Sequence, residues 1–190
     1  MKRNFQTAFL MLLMMTLLTG IIYPLAATGL AQLFFREKAN GSIAYINKQP
    51  VGSYLIGQQY SDPKYFQGRP SSAGTGYDAA ASSGSNLGST NQKLISDITN
   101  RVSEIRSKNR IFDNALIPAD LVTSSASGLD PHISPAGATL QIERVARERG
   151  VSVEVVSRVV LECTEEPQWG FMGQARVNVL KANMLLDQLH

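Results

Sequence analysis

The stretch 9-FLMLLMMTLLTGIIYPLAAT-28 is the most apolar part of the chain and decides how the rest is organised. It lies within a run that has no charged residue, from Asn4 to Phe35. A helix needs about 20 apolar residues to cross the hydrocarbon core of a bilayer, and this stretch supplies them. It therefore predicts a transmembrane anchor within residues 1–35. The side chains that we expect in this anchor include Phe9, Leu13, Leu17, Ile21, Tyr23 and Pro24.

A secretory signal peptide is the alternative interpretation of the same segment. Lys2 and Arg3 form a short basic start, residues 8–18 have the length of a signal-peptide core, and residues 29–31 offer a small-x-small cleavage site. Apolar residues continue well beyond Leu18, however, as far as Phe35, which favours an uncleaved anchor. Pro24 is expected to remove one helical hydrogen bond and to kink the span. Both interpretations place the rest of the chain outside the cytoplasm.

Charge gives a weaker indication of orientation than of span. Lys2 and Arg3 precede the apolar segment, while Arg36 and Lys38 follow it. The free amino terminus adds to the first group, so we expect a cytoplasmic N-terminus and an outer domain.

The overall basic charge does not indicate nucleic-acid binding. The chain has 18 basic and 15 acidic residues, of which two basic ones precede the anchor and all the acids follow it. The domain therefore carries sixteen basic against fifteen acidic residues, a net charge of only +1, and no phosphate-binding surface is indicated. The single cysteine, Cys163, excludes an intrachain disulfide and is expected to be a packed side chain.

Residues 36–190 are expected to form a single α+β domain with a small β part first and helices afterwards. Residues 42–46 and 51–56 are β-prone and predict a hairpin around residues 47–50. A helix is predicted after candidate N-caps at residues 89–91, with apolar residues from Leu94 to Ile105 on one face. The last helix is predicted at 177–189.

Two further helices have clear start signals. Ser134 as N-cap, Pro135 at the first helical position and Gly150 after the last one delimit the first. Ser152 begins the second, although its valine content also suits a strand. Arg144, Arg147 and Arg149 are expected to complement the negative end of the first helix.

Residues 68–91, GRPSSAGTGYDAAASSGSNLGSTN, are almost devoid of large apolar side chains. Such a segment cannot form much core. It is either a mobile loop or a long loop that folds against something else, since long irregular loops in compact domains are commonly disordered or functional.

No catalytic constellation emerges from the sequence. There is no GxxxxGK[ST] phosphate loop, no GxSxG nucleophile elbow and no DKTGT phosphorylation segment. The two histidines are the terminal His190 and His132, which is expected to be a hydrogen-bonding loop residue, and zinc binding is not indicated. Glu165 and Glu166 are expected at a solvated helix end. A hydrolase using some carboxylate pair and a secreted binding protein remain as rival hypotheses.

Several stretches, in order and spacing, resemble the C subunit family of the Kdp potassium-transporting P-type ATPase. They are TGIIYPL at 19–25, GSYLIGQ at 52–58, YFQGRPS at 65–71, SGSNLG at 83–88, DLVTSSASGLDPHISP at 120–135 and RVNVL at 176–180. Together they cover nearly the whole chain. Ser83 stands where the family often has glycine, and Gln174-Ala175 replaces a more usual Glu-Pro.

The resemblance implies a single-pass subunit of the cytoplasmic (inner) membrane with an uncleaved anchor and no catalytic residues. Its implied partners are the ion-translocating A subunit, the ATP-hydrolysing B subunit, the small F subunit and membrane lipid. ATP and K⁺ would belong to the complex, with no cofactor bound by this chain. The family is described as a catalytic chaperone that raises the ATP affinity of the B subunit. The alternative is an outer cap that shapes ion access without affecting ATP.

The partner surface is expected in residues 68–91 and 120–135, which are rich in small polar residues and match the family closely. The candidate partner-binding residues are Arg69, Ser71, Ser85, Asn86, Asp130 and His132.

Overall fold

The computed structural model describes residues 2–112 and 114–189, and the chain divides into two compact units whose boundary falls between Ile43 and Ala44. The first unit is helical: α1 (Lys2–Leu17), a π-helical turn (Leu18–Ile22), α2 (Tyr23–Phe34) and the short α3 (Arg36–Ala39). From Lys2 to Phe34 the helix is continuous for 33 residues and is long and apolar enough to cross a membrane. The structure thus supports the predicted anchor as a candidate span.

All the side chains expected in the anchor are exposed to the surroundings of the protein. Phe9 is 58% exposed and Tyr23 is 70% exposed, and none of the residues in α1, the π-helical turn or α2 is buried. A helix that is apolar on every side and buries none of its side chains is suited to lipid.

The proline in the helix coincides with a change of hydrogen bonding. Pro24 has no N–H, and its ring cannot approach a carbonyl in the preceding turn. The turn before it is π-helical, with the Tyr23 N–H donating to the Leu18 carbonyl five residues earlier. The Thr19 hydroxyl donates to the Met15 carbonyl at 2.6 Å. The hydrogen-bonding pattern therefore changes directly before Pro24, in a π-helical turn of the kind that occurs as a bulge within α-helices, while the predicted kink stays a prediction.

The second unit begins with the expected hairpin, although the bounds of its second strand differ from the prediction. The strands are β1 (Ile43–Ile46) and β2 (Gln49–Ser53), joined by Asn47 and Lys48. Both turn residues have positive φ, 52° and 65°, as two-residue type I′ turns require. The predicted second strand at 51–56 was placed too late, because the turn has two residues and Pro50 is tolerated in a sheet with only edge strands.

Three of the predicted helices form, and two of them have the expected side-chain caps. Ser152 lies at the N-cap position of the third, but its side chain makes no capping hydrogen bond. The Asn91 side chain accepts hydrogen bonds from the N–H groups of Lys93 and Leu94, and Ser134 accepts one from Gly137. Gly150 ends its helix in the left-handed conformation with φ 68°. The helices are α4 (Gln92–Asn109), α5 (Pro135–Arg149) and α6 (Val153–Glu162).

A second sheet was not predicted. It contains β3 (His132–Ile133), β4 (Thr164–Glu165) and β5 (Arg176–Asn178) in the order β3-β5-β4, with both pairs antiparallel. The last helix, α7 (Val179–Asp187), consequently starts later than predicted, because Val177 lies in β5 and Asn178 caps α7. The expectation that the β part comes only first is therefore wrong, while the α+β class is correct.

Helices α5, α6 and α7 enclose the core together with β5. Val145, Val156, Ala138 and Cys163 are fully buried at 0% exposure. Burying a valine of this kind contributes roughly 1.5–3 kcal/mol. The cluster consists of Phe66, Leu121, Ile133, Ala138, Ile142, Val145, Ala146, Val156, Val159, Val160, Cys163, Val177, Val179, Ala182 and Leu186.

Arg144, one of the three arginines expected to complement the negative end of α5, is buried and makes specific hydrogen bonds. Its side chain is only 2% exposed. The guanidinium donates to Asn109 Oδ1 at 2.8 Å, to Gln141 Oε1 at 2.7 Å and to the carbonyls of Pro63 and Tyr65. Burial lowers its pKa to about 10, so it remains charged at neutral pH.

The irregular segment 63–67 is held by side chains instead of by a strand partner. The Asn183 amide accepts from the Phe66 N–H and donates to its carbonyl, at 2.8 and 3.0 Å. Gln141 does the same for Gln67, at 2.9 and 3.1 Å. These pairs satisfy backbone groups that would otherwise be buried without partners. They fix the chain directly before Arg69.

Candidate functional site

Residues 68–91 fold against the segment 120–135, the two stretches in which the partner surface was predicted. The Ser71 hydroxyl donates to the Gly128 carbonyl at 2.6 Å, and the Ser72 hydroxyl donates to Ser124 Oγ at 2.9 Å. The Ser83 N–H donates to the Ser127 carbonyl at 3.0 Å. Of the two alternatives for this loop, the structure favours the one in which it folds against another part of the chain.

Glycine is required where the loop and the segment are closest. Gly128 has φ 67°, and a Cβ there would lie 2.5 Å from the Ser83 carbonyl oxygen and 2.7 Å from the Ala73 nitrogen. Both atoms belong to the backbone, which cannot move aside as the end of a flexible side chain could. Ala73 is itself completely buried. The small residues of both stretches therefore allow two backbones to pack directly, which explains how a segment without large apolar side chains is held.

A cleft of about 660 Å³ opens beside this junction. It contains three of the candidate residues, Arg69, Asp130 and His132. The complete lining is Arg69, Pro118, Ala119, Asp120, Asp130, His132, Ile133, Ser134, Gln174, Ala175 and Arg176.

Asp130 lies at the centre of the charged groups in the cleft. Its Oδ2 accepts a hydrogen bond from Arg69 Nη1 at 3.1 Å, and its Oδ1 accepts one from the His132 N–H at 3.0 Å. The His132 ring nitrogen Nδ1 is 3.5 Å from the same oxygen. Burial alone raises the pKa of the Asp130 carboxyl, but hydrogen bonds from His132 and Arg69 outweigh burial and lower the pKa below its usual value. Asp130 is therefore an anion that is already paired.

His132 lies in β3, not in the loop where it was expected. Its Nε2 is 3.9 Å from Glu165 Oε2 and 3.4 Å from the Asn178 side-chain nitrogen. Asn178 also donates to the Tyr54 carbonyl at 2.8 Å. The imidazole thus has carboxylates on two sides.

Glu165 and Arg176 were missed as members of this site. Glu165 was expected at a helix end but lies in β4, directly opposite Arg176 in β5. Arg176 Nε donates to Glu165 Oε2 at 2.9 Å. The sequence carries no recognisable signal for this pair, since the strands that bring them together have two and three residues.

Asp120 organises the start of α5. Its Oδ2 accepts from the Ser134 N–H at 2.6 Å and its Oδ1 accepts from the Ser134 hydroxyl at 3.1 Å. Ser134 in turn caps Gly137 at 2.9 Å. The only hydroxyl side chain that lines the cleft is therefore engaged in helix capping, and the arrangement suits binding better than nucleophilic chemistry.

The other three candidate residues lie outside the cleft lining. Ser71 is half-buried and also accepts from the Tyr77 N–H at 2.7 Å, so it holds the loop in place. Ser85 and Asn86 are exposed, and Asn86 adopts a left-handed conformation with φ 51°. The six candidates thus fall into three groups. Three line the charged cleft, Ser71 holds the loop in place, and Ser85 and Asn86 are exposed.

The family model described as "K+-transporting ATPase, c chain" matches residues 5–188. The chain belongs to the KdpC family. The resemblance inferred from the sequence motifs is confirmed.

Curated relatives agree over the whole length. A protein of Methylococcus capsulatus is 51% identical over 190 residues, which cover 100% of each chain. One of Mycobacterium bovis is 50% identical over 189 residues, again 100% of each. One of Beijerinckia indica is 51% identical over 187 residues, 98% of this chain and 94% of the relative. Each is named potassium-transporting ATPase KdpC subunit.

Two other kinds of chemical site, a reactive cysteine and a metal site, are not indicated by the described residues of this KdpC chain. Cys163 is completely buried, and burial raises the pKa of its thiol to about 11, so it is almost entirely un-ionised at neutral pH. Among residues 2–112 and 114–189, no cluster of three histidine, cysteine or acidic side chains could hold a metal ion. His190 and Asp113 lie outside the described residues.

Proposed function

We propose that this chain is a non-catalytic accessory subunit of a high-affinity, ATP-driven potassium uptake complex. Its family and the names of its full-length relatives support this role. The helix Lys2–Phe34 would anchor it in the cytoplasmic membrane with the N-terminus inside and the second unit outside. Its partners would be the ion-translocating A subunit, the ATP-hydrolysing B subunit and the small F subunit.

The packing of residues 68–91 against residues 120–135 is the main observation that supports partner binding by this unit. The backbones are locked together by Ser71, Ser83 and Gly128. A surface that is already fixed loses little conformational entropy when a partner covers it. Asn86, exposed and in a left-handed turn, is presented on this surface without being needed for its internal packing.

The charged cleft fits a positioning role. Arg69, Asp130, Glu165 and Arg176 form ion pairs within the chain. Their opposite charges compensate each other and leave a polar surface with a defined shape. Electrostatic complementarity of this kind contributes more to the specificity of an interface than to its affinity.

Any effect of this chain on ATP affinity would be allosteric. ATP is cytoplasmic, whereas the second unit would lie outside in this proposal, so the anchor and the A subunit would form the route between them. A coupling of 1–3 kcal/mol, corresponding to about 5- to 150-fold in affinity, is typical of such an effect. ATP and K⁺ are thus ligands of the complex in this proposal.

The experiment replaces Asn86 by glycine, which keeps the left-handed backbone and removes only the amide. The matched control is Asn47→Gly, because Asn47 is also exposed and has φ 52° but lies in the β1–β2 turn. We expect Asn86→Gly to reduce co-purification of the A and B subunits by about tenfold, the scale of one good interface contact. Potassium-stimulated ATP hydrolysis should fall with it, while Asn47→Gly leaves both unchanged.

Arg69→Met gives an independent measurement at the cleft. It is expected to weaken assembly because it releases Asp130. If both Asn86→Gly and Arg69→Met assemble and hydrolyse ATP like the wild type, the proposed surface is wrong. In a variant that still assembles, a higher KM for ATP supports the chaperone role, whereas a changed potassium requirement with an unchanged KM supports control of ion access.

A further inference from the structure

Residues 167–175, here called the Trp169 tip, form an exposed turn between β4 and β5. The sequence PQWGFMGQA contains no charged residue, although Glu165, Glu166 and Arg176 flank it directly. Trp169 is 84% exposed, Phe171 77% and Met172 48%. Three large apolar side chains are therefore exposed close together at the end of a short hairpin.

Four hydrogen bonds within the tip satisfy part of its backbone. Gln168 and Met172 exchange two N–H to carbonyl bonds, both of 2.9 Å. The Gly170 N–H donates to the Pro167 carbonyl at 3.0 Å, and the Phe171 N–H donates to the Gln168 carbonyl at 3.3 Å. Backbone groups without partners are what most strongly prevents irregular chain from entering lipid. In this turn, part of the backbone already has hydrogen-bond partners within the turn itself.

The size of the tip favours lipid over a protein partner. Aromatic side chains bury about 150–250 Å² each, so two of them and a methionine supply roughly 500 Å². A stable protein interface needs about 800 Å² from each partner. Insertion into the headgroup region has no such threshold, and tryptophan in particular is enriched there because its ring is apolar while its N–H can reach a polar partner.

The flanking charges are compatible with shallow insertion. Glu165 and Arg176 form an ion pair at the base of the hairpin, with Nε and Oε2 2.9 Å apart. Charged groups at this position would remain at the polar surface while the uncharged tip enters. The three charged residues that flank the tip, Glu165, Glu166 and Arg176, carry a net charge of −1, which does not attract anionic lipid, so the expected target is a zwitterionic headgroup region.

We infer that the Trp169 tip inserts into the lipid headgroup region of a bilayer, as a second membrane contact besides the helix. This goes beyond the accessory role proposed above but rests on the membrane location proposed there. Nine residues, 35–43, separate the end of α2 from the second unit, so the domain is tethered to any bilayer that the helix spans.

Trp169 is the only tryptophan in the chain, so its fluorescence reports on this tip alone. The full-length chain would be placed in phosphatidylcholine nanodiscs, one chain per disc, with and without lipid brominated on the acyl chain close to the headgroup. We expect blue-shifted emission, protection from aqueous iodide and loss of most of the intensity in brominated discs. Phe171→Ser together with Met172→Ser should abolish the quenching by lipid.

The matched control is Phe112→Ser, because Phe112 is equally exposed at 84% but lies elsewhere in the chain. It should leave the quenching of Trp169 unchanged. Emission of a fully hydrated indole that bromination does not affect would overturn the inference. So would shielding that appears only when the other subunits are added, which would assign the tip to a protein partner. Carbonate extraction of the same preparation tests the helix separately, so failure of the tip and failure of the anchor can be distinguished.

Discussion

At the scale of one residue, the buried charge of Arg144 is stabilised by hydrogen bonds to uncharged groups. The guanidinium has no carboxylate within ion-pair distance among the described residues, and its hydrogen bonds go to two backbone carbonyls and to the amides of Asn109 and Gln141. A buried charge is tolerated only when its donors are satisfied. Arg144 therefore connects α4, α5 and the segment 63–67 through their polar groups.

Replacing Arg144 by methionine, which has a similar length, should destabilise the second unit. Two carbonyls and two amide oxygens would lose a charged donor while they remain buried, at a cost on the order of 3 kcal/mol. Cys163 provides the measurement, because it is the only cysteine and is fully buried until the unit unfolds. Labelling by a fluorogenic maleimide during heating should occur about 10 °C lower than in the wild type.

Arg147→Met is the control for this prediction. Arg147 lies on the exposed side of the same helix and pairs only with its neighbour Glu148, at 3.1 Å. Exposed pairs of this kind contribute about 0–1 kcal/mol. Equal midpoints for Arg144→Met and the wild type would contradict the role given to the buried guanidinium.

At the scale of elements, the second unit depends on irregular segments as much as on helices. Residues 68–91 contain no helix or strand, yet they are held in place by serine hydroxyls and by direct backbone packing at Gly128 and Gly84. Helices α4 and α5 have their own side-chain caps, Asn91 and Ser134, whereas this loop is held by its partner segment. The two stretches should therefore loosen together.

Gly128→Ala tests this dependence. The added Cβ would contact the Ser83 carbonyl and the Ala73 nitrogen, and φ 67° is unfavourable for alanine by roughly 1–2 kcal/mol in itself. We expect elastase, which cuts beside small residues, to cleave residues 68–91 several-fold faster. Gly88→Ala serves as control, because a Cβ at Gly88 has no atom within 4 Å. Identical cleavage rates for the two variants would refute the packing argument.

At the scale of the whole molecule, the first unit has no core of its own. Its long helix buries none of its side chains, which suits a helix surrounded by lipid. The residues predicted at the middle of the span, near Leu17, should then be intolerant of charge.

Leu17→Lys is expected to disfavour insertion by about 2.5–3.5 kcal/mol. Alkaline carbonate extraction would measure this, with the variant shifting from the membrane pellet to the supernatant. Phe5→Lys should stay in the pellet, because residue 5 lies outside the stretch 9–28 and close to Lys2 and Arg3, where a lysine can reach the surface. Full retention of Leu17→Lys would argue against a spanning helix, and an intact mass lacking the first residues would indicate a signal peptide instead.

The sequence by itself determined the features that depend on neighbouring residues. Hydropathy accumulates along consecutive positions, so the long helix was predictable from residues 9–28. Helices α4 and α5 were predictable because Asn91 and Ser134 bond to backbone groups two or three residues away. The order and spacing of several short motifs also indicated the family, to which the family model assigns residues 5–188.

Only the tertiary structure decided the rest. The strands β3, β4 and β5 have two or three residues, too few for an alternating pattern to be recognised. Their pairing brings Glu165 to Arg176 and places His132 beside Glu165, while Arg69 reaches Asp130 across 61 positions of sequence. The burial of Arg144 has the same origin. Contacts of this kind depend on packing between distant segments, which local patterns do not encode.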